Sequence, residues 1–216
     1  MTASERIDRT AEFVKTSLWG EGSGHDWWHT CRVWRTAQTI GRAEGADRFV
    51  VELAALLHDI ADWKAHDGDS SVGPEAARQW LASLGVDANV VEHVCRIIAD
   101  ISFKGAGVKP PVLSLEGKVV QDADRLDAIG AVGIARAFAY GGAKGRLIHD
   151  PESRPEVHPT AEAYLKSGGT TINHFYEKLL LLKDRMNTAT GRAIAEKRHK
   201  FMEDYLRRFY EEWDGG

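Results

Sequence analysis

The sequence predicts an all-α protein, and three observations lead to that prediction. Apolar residues recur every three or four positions through successive segments, as on a helix with one buried face. Residues that favour helix starts and ends bound these segments. The apolar–polar alternation that is typical of strands persists nowhere along the chain. We therefore expect a helical bundle without a sheet.

Three helices are predicted before the first long break. Thr2 opens a capping box for helix one, which a glycine-rich stretch ends. Helix two starts near His29, and Gly41 and Gly45 end it. Asp47 can cap helix three, whose apolar positions lead without a break into a histidine–aspartate pair.

The helical pattern continues through the middle of the chain. A short fourth helix is expected from Pro74, a residue suited to a first helical turn, to Gly85. The fifth helix is rich in β-branched residues, but its length and spacing favour helix over strand. After a loop with glycines and prolines, helical periodicity resumes at Leu115 and runs toward Phe138. The apolar positions of the fifth helix are Val90, Val91, Val94, Ile97, Ile98 and Ile101.

A polar segment from about residue 141 to residue 169 predicts a long irregular excursion, of a length that is usually functional or mobile. It carries basic residues that suit a lid over a phosphorylated substrate, and a simple surface loop is the alternative. Two helices follow, one through Phe175 and one from Ile194 to Trp213. Without a repeat or linker, residues 1–216 are predicted to form a single domain. The apolar positions of the last two helices suit either this core or a homodimer interface.

The bulk composition narrows the class of function. A net charge of -4 across 216 residues gives no general attraction to nucleic acid or anionic membrane, so recognition of phosphate must be local. No apolar stretch reaches membrane-spanning length. The two cysteines, Cys31 and Cys95, sit in apolar surroundings, which predicts reduced thiols in a cytoplasmic protein.

Histidines and aspartates gather at four places in the chain. Imidazole and carboxylate donors together suit Mn, Fe, Co, Ni or Zn, and without thiolates a catalytic ion is favoured over a structural one. A pair at the end of an apolar helix is costly unless it is hydrogen-bonded or bound to a cation. The four places are His25–His29, His58–Asp59, Asp122–Asp127 and, more weakly, His93.

Helical geometry narrows the choice of metal ligand within the acidic cluster. Asp122 and Asp124 are two residues apart and point in nearly opposite directions, so only one of them can be a ligand. Asp62 follows His58 by four residues, so it can overhang the same site as a base or a water-orienting group. A solvated carboxylate that pairs with Lys64 is the alternative for Asp62.

These motifs follow a specific order: an isolated histidine, then His-Asp after Ala-Leu-Leu, then aspartates in Asp-Ala-Asp-Arg-Leu-Asp. The order resembles that of the HD superfamily of metal-dependent phosphohydrolases, which are helical proteins. Similarity to a subgroup of small bacterial HD hydrolases extends over nearly the full chain and implies a single HD-domain helical bundle. The segments that carry it are residues 24–29, 101–105, 114–133, 173–179 and 198–203.

The resemblance implies one divalent ion, Mn, Mg, Co, Ni or Fe, held by His29, His58, Asp59 and Asp124. Asp124 is chosen because the Ala-Asp-Arg-Leu around it is similar to the segment that supplies the last ligand in alarmone hydrolases. Asp122 is the alternative candidate for the fourth ligand. Two imidazoles and two carboxylates leave about two octahedral positions for water and a substrate oxygen.

The resemblance also implies a phosphohydrolase that acts on a small phosphorylated substrate, for which we expect a nucleotide, and neither a nucleic-acid polymer nor a membrane as partner. Asp62 is the candidate base. His25 would donate a proton to the leaving group or orient His29, and an ordinary hydrogen-bonded histidine at the helix start is the alternative. The tryptophans at 27, 28 and 34 are expected in the core, with stacking on a nucleobase as the alternative. The cations expected to bind phosphate are Arg32, Lys104 and Lys64.

Two other functions stay open at this point. A di-iron oxygenase of the same fold needs further histidines between the doublet and the last aspartate, and that interval offers only His66 and His93. His93 is interpreted as an ordinary core or surface histidine, because it sits in an apolar helix. A non-catalytic nucleotide-binding HD domain would show degenerate ligands, whereas this chain retains the full set.

Overall fold

A computed structural model describes residues 1–20, 26–61, 71–101, 112–156 and 169–216 of the chain. Within these ranges the protein is all-α, as predicted, with nine α-helices, one 3-10 helix and no strand. The described residues fall into two compact units, the first ending at Ala123 and the second beginning at Asp124. The organisation as one domain stays a prediction. No helix within the described ranges has both the length and the apolarity of a membrane span.

The helices of the first unit begin and end close to where the sequence predicts. Thr2 and Glu5 form the expected capping box. Gly41 does not end its helix, because the helix continues to Gly45, which adopts a left-handed φ of 74°. The helices are α1 (Ala3–Ser17), α2 (Trp27–Glu44), α3 (Arg48–Leu57), α4 (Val72–Ser83), α5 (Ala88–Ile101) and α6 (Leu115–Asp127), and the boundary between the units falls within α6.

The first unit is built around α3, a helix that is buried on all sides after its first two residues. Every residue from Val50 to Leu57 is buried, as expected of a helix that is apolar on nearly all sides. Asp47 caps it, accepting hydrogen bonds from the backbone N–H groups of Phe49 and Val50. The helix packs against α1, α2 and α5, and α4 packs against α5.

A buried carboxylate joins α2 to α3. Glu52 is only 1% exposed, and its Oε2 accepts hydrogen bonds from Trp34 Nε1 at 2.9 Å and from Gln38 Nε2 at 2.6 Å, both on α2. Its Oε1 pairs with the guanidinium of Arg48, one turn earlier on α3. Because these partners lie on both helices, Glu52 fixes the position of α2 against α3.

In the second unit, the structure corrects one predicted helix. The run from Leu115 toward Phe138 is broken, so that α6 ends and α7 (Gly130–Ala143) begins at a glycine with a φ of 78°. A Cβ at Gly130 would lie 3.0 Å from Cγ of Arg198, which itself donates a hydrogen bond to the carbonyl of Leu126. The break therefore depends on a left-handed residue without a side chain, and glycine meets both conditions.

The C-terminal helices of the second unit agree in part with the prediction. The helix expected through Phe175 is α8 (Thr171–Glu177), and the apolar residues after it form a 3-10 helix (Leu179–Arg185) instead of continuing it. The long last helix is confirmed as α9 (Ala189–Trp213). Of the predicted irregular excursion, residues 141–143 belong to α7, residues 144–156 contain no helix or strand, and residues 157–168 lie outside the described ranges.

The first prediction concerns Glu52. Replacement by Ala leaves the half-buried donors of Trp34 and Gln38 without their acceptor, so we expect Glu52→Ala to lower the free energy of unfolding by about 2 kcal/mol. Urea denaturation followed by circular dichroism measures this change. Glu92→Ala is the matched control, because Glu92 pairs with Arg78 at the surface and its loss should cost under about 0.5 kcal/mol. Equal losses in the two variants would contradict the role of Glu52.

The second prediction concerns His174 on α8. Burial lowers its pKa to about 3 from an ordinary 6.5, with further lowering by the charges of Lys178 and Arg146. The unfolded chain therefore binds a proton that the folded chain does not, and the free energy of unfolding falls as the pH drops from 6.5 toward 3. His174→Gln should remove this part of the pH dependence, as measured by urea unfolding on both sides of pH 6.5. An unchanged dependence would refute the neutral state of His174.

Candidate metal centre

The first predicted ligand, His29, sits in the opening turn of α2. Asp26 is the N-cap of this helix, and its Oδ1 accepts a hydrogen bond from the backbone N–H of His29 at 2.8 Å. The imidazole is 1% exposed. The sequence pattern grouped Asp26 with the metal donors, whereas the structure shows that it starts the helix and fixes the backbone of His29. An aspartate directly before the first residue of a helical pattern is the signal for such a cap, because its side chain can accept from the N–H two or three residues later.

The doublet lies where α3 ends. His58 is the C-cap of the helix, and the backbone turns there, with Ile60 N–H donating to the carbonyl of Leu57 at 3.2 Å. The His58 Nδ1 lies 2.9 Å from the carbonyl oxygen of Ala55, and a carbonyl can only accept, so Nδ1 carries the proton. In the neutral tautomer the lone pair is therefore on Nε2, the atom that faces His29 and Asp59.

Three donor atoms meet in an almost equilateral triangle. His29 Nε2 and His58 Nε2 are 3.3 Å apart, and Asp59 Oδ2 is 3.3 Å from each of them. His58 is 8% exposed and the Asp59 side chain 20% exposed, so the carboxylate is the part of the cluster most open to water. Within the ranges that the structure describes, this is the group of His, Cys, Asp and Glu side chains close enough together to hold an ion.

The dimensions and chemistry of the triangle fit a divalent ion. Neighbouring ligands on an octahedral ion with bonds of about 2.1–2.3 Å are about 3.0–3.3 Å apart. Two neutral imidazoles and a carboxylate are donors that suit Mn, Fe, Co, Ni or Zn. The hydrogen bond from His58 to the Ala55 carbonyl is the kind of contact that orients a ligating histidine. These three side chains can therefore hold such an ion on one side and leave other positions open.

The fourth predicted ligand stays a prediction. Asp124 is half-buried on α6 and belongs to the second unit, and it is not a member of the three-residue cluster. Its rival Asp122 is completely buried on the same helix, in the first unit. Asp127, which shares a face with Asp124, forms an ion pair with Arg136 at 2.7 Å. The choice between Asp122 and Asp124 therefore remains the one made from the sequence.

The other predicted site residues have different outcomes. Arg32 lies on α2 one turn after His29, where it is half-buried. The candidates His25, Asp62, Lys64 and Lys104 lie outside the described residues, so their roles stay predictions. His93, which a di-iron site would need, lies 2.9 Å from Ser114 Oγ and 3.6 Å from Glu116 Oε2, as expected of a surface histidine.

Sequence reasoning missed Glu52, which holds together the two helices that carry the cluster. Its signal was a lone acidic residue inside the apolar run of α3, where a carboxylate must have buried partners. The tryptophan at 34 is one of those partners, through its indole N–H. The sequence does not say that a residue on another helix supplies the donor, because that depends on how α2 packs against α3.

Comparison with known proteins agrees with this geometry. A family model described as an HD domain matches residues 27–129, which include the three clustered residues. The chain is 43% identical over 217 residues to YpgQ, an uncharacterized protein of Bacillus subtilis, with 100% of this chain and 97% of that protein covered.

Solved structures are similar over the whole chain. An HD-superfamily hydrolase from Bacillus thuringiensis has a TM-score of 0.80 and 44% identity, with 100% of both chains covered. Bacillus subtilis YpgQ in complex with ADP has a TM-score of 0.79 and 40% identity, and the match covers 98% of this chain and 97% of that one.

The third prediction concerns the cluster. Loss of a direct ligand should weaken Mn²⁺ binding at least about 100-fold, since loss of a residue that merely orients a ligand already costs 10–100-fold. Isothermal titration calorimetry of His58→Ala and Asp59→Ala measures this, and circular dichroism should show the helical content retained. His93→Ala is the control, because His93 is not in the cluster, and it should bind Mn²⁺ like the unaltered protein. Unchanged Mn²⁺ binding in His58→Ala would refute the assignment of this metal site.

Proposed function

The chain belongs to the HD superfamily and has the fold of its hydrolases, and from that premise we propose that it is a divalent-metal-dependent phosphohydrolase of nucleotides. Its substrate would be a nucleoside triphosphate or a related phosphoester, with release of pyrophosphate or phosphate. The observation that carries the proposal is the triangle of His29, His58 and Asp59, whose donors lie 3.3 Å apart.

We assign the metal to His29, His58, Asp59 and Asp124. A bound divalent ion supplies charge neutralisation for a phosphoryl oxygen and lowers the pKa of a water molecule. The two carboxylates balance its charge, and the two imidazoles are neutral donors. His58 can serve in this role without a change of tautomer, because its Nδ1 proton is already held by the Ala55 carbonyl.

The remaining residues of the reaction are assigned from their places in the sequence. Asp62, four residues after His58, accepts a proton as the oxygen of the attacking water forms its bond to phosphorus. His25 donates a proton to the oxygen that leaves when the phosphorus–oxygen bond breaks. Lys64, Lys104 and Arg32 neutralise the phosphate chain. Of these three cations, Arg32 is the one within the described residues, half-buried on the helix that begins with His29.

A nucleotide is favoured over other phosphoesters by one relative. Bacillus subtilis YpgQ, 40% identical over almost the whole chain, has been crystallised with ADP. The net charge of -4 means that the protein as a whole does not attract such an anion, so the affinity must come from the local cations and the metal. Cys31 and Cys95 are buried and unbridged, which supports our proposal that the protein works in a reducing compartment such as the cytoplasm.

A substrate screen tests the function. Nucleoside mono-, di- and triphosphates are incubated with Mn²⁺, Mg²⁺, Co²⁺ or Ni²⁺, and phosphate and pyrophosphate are assayed separately. We expect turnover of a nucleotide that stops when the metal is chelated. The absence of turnover with every nucleotide and metal would overturn the proposal, as would two bound irons per chain with consumption of dioxygen.

The fourth prediction separates chemistry from metal binding at Asp62. If Asp62 is the general base, Asp62→Asn should keep its metal and lose roughly 100-fold or more in kcat. Calorimetry with Mn²⁺ and the nucleotide assay measure the two properties on the same preparation. Asp184→Asn is the control, because the Asp184 side chain is 81% exposed and lies on the 3-10 helix. Loss of the metal in Asp62→Asn would instead make Asp62 a ligand.

A further inference from the structure

Two adjacent tryptophans at the start of α2 differ sharply in burial. Trp27 and Trp28 occupy the first two positions of the helix, directly before His29. Trp27 is half-buried, whereas Trp28 is 59% exposed. The expectation that the tryptophans around the first ligand belong to the core is therefore wrong for Trp28. It holds better for Trp34, which is half-buried and donates its indole N–H to the buried Glu52.

Trp28 contributes little to the buried side of α2. Asp26 caps the N-terminus through the backbone N–H of His29, and the residues that α2 buries in its first turns are His29, Thr30, Cys31 and Val33. A tryptophan side chain carries one of the largest apolar surfaces of any residue, and burial of that surface is what usually stabilises a fold. At 59% exposure, most of this contribution is not used in the folded chain.

The position of Trp28 next to His29 suggests a role for it in ligand binding. Adjacent residues in a helix have Cα atoms about 3.8 Å apart and side chains about 100° apart around the axis. Trp28 therefore lies, by its backbone position, directly beside the residue through which α2 meets His58 and Asp59. The cluster is most open to water at the Asp59 carboxylate. When the phosphates of a ligand bind at this opening, the rest of the ligand lies on the surrounding protein surface.

We propose that Trp28 is a stacking platform for the base of the nucleotide whose phosphates bind at the metal cluster. This inference rests on the proposed function, since it assigns the base end of the same substrate. An indole face attracts any nucleobase, because every base has a π-face, and it does so without hydrogen-bond selection. The platform would therefore distinguish nucleotides from phosphate compounds without a base, and would tolerate different bases.

The test compares two ligands that share a phosphate chain. Calorimetry with Mn²⁺ gives the Kd of ADP and of inorganic pyrophosphate for the unaltered protein, Trp28→Ala and Trp28→Phe. Loss of a base–aromatic stack typically weakens binding by roughly tenfold or more. We expect that loss for ADP in Trp28→Ala, a pyrophosphate Kd within about twofold of the unaltered protein, and a near-normal ADP Kd in Trp28→Phe, which keeps an aromatic face.

Trp19→Ala is the matched control, because Trp19 is 72% exposed in the turn after α1 and is not next to a candidate ligand. Its ADP Kd should not change. Equal ADP affinities in Trp28→Ala and the unaltered protein would overturn the inference, as would an equal loss for ADP and pyrophosphate. So would an unaltered protein that binds the two ligands equally well. These outcomes depend on binding alone, so a protein that binds ADP through Trp28 yet hydrolyses no nucleotide would overturn only the proposed function.

Discussion

The candidate metal centre depends on one buried carboxylate that is not part of it. His29 comes from α2, while His58 and Asp59 come from the end of α3, so the 3.3 Å spacing of their donor atoms exists only if the two helices keep their relative position. Glu52 supplies that constraint through Trp34 and Gln38. Apolar packing alone would permit small shifts along the helix axis, whereas hydrogen bonds of 2.9 Å and 2.6 Å to a fixed acceptor do not.

The buried apolar residues of α3 help to offset the free-energy cost of burying the polar cluster at its end. Two imidazoles and a carboxylate with little exposure cost free energy unless each polar atom has a partner. The His58 ring has one at the Ala55 carbonyl, and the three donor atoms lie within reach of one another. The eight buried residues from Val50 to Leu57 provide the opposing stabilisation, since all but Glu52 are apolar. The polar cost thus falls at the end of a helix whose residues are buried from Val50 to Leu57.

Much of the fold was predictable from local sequence signals, because helix caps and apolar spacing act over a few residues. The capping box at Thr2, the cap at Asp47 and the long last helix are of this kind. The break at Gly130 was not predictable, because neither its left-handed φ nor the packing of Arg198 over it can be read from the neighbouring residues. The 3-10 helix that follows α8 was missed because its apolar spacing also fits an α-helix.

The candidate site, like the fold, was predictable from the sequence only in part. The doublet and the isolated histidine could be recognised by their order, and the structure brings His29, His58 and Asp59 together. Exposure could not be read from the sequence, so Trp28 was assigned to the core with its neighbours. Glu52 was overlooked because a single carboxylate in an apolar run acquires meaning only through donors on another helix.

The contact between Arg198 and the end of α6 has a consequence for the order in which the protein can assemble. The guanidinium of Arg198 holds the Leu126 carbonyl across 72 residues of sequence, and its stem packs over Gly130. A chain made from its N-terminus emerges with α6 long before α9 exists. The last turn of α6 can therefore form early, with the Ile129 N–H on the Leu126 carbonyl, but it gains the second donor and the cover over Gly130 only after the final helix has been synthesised and has folded back.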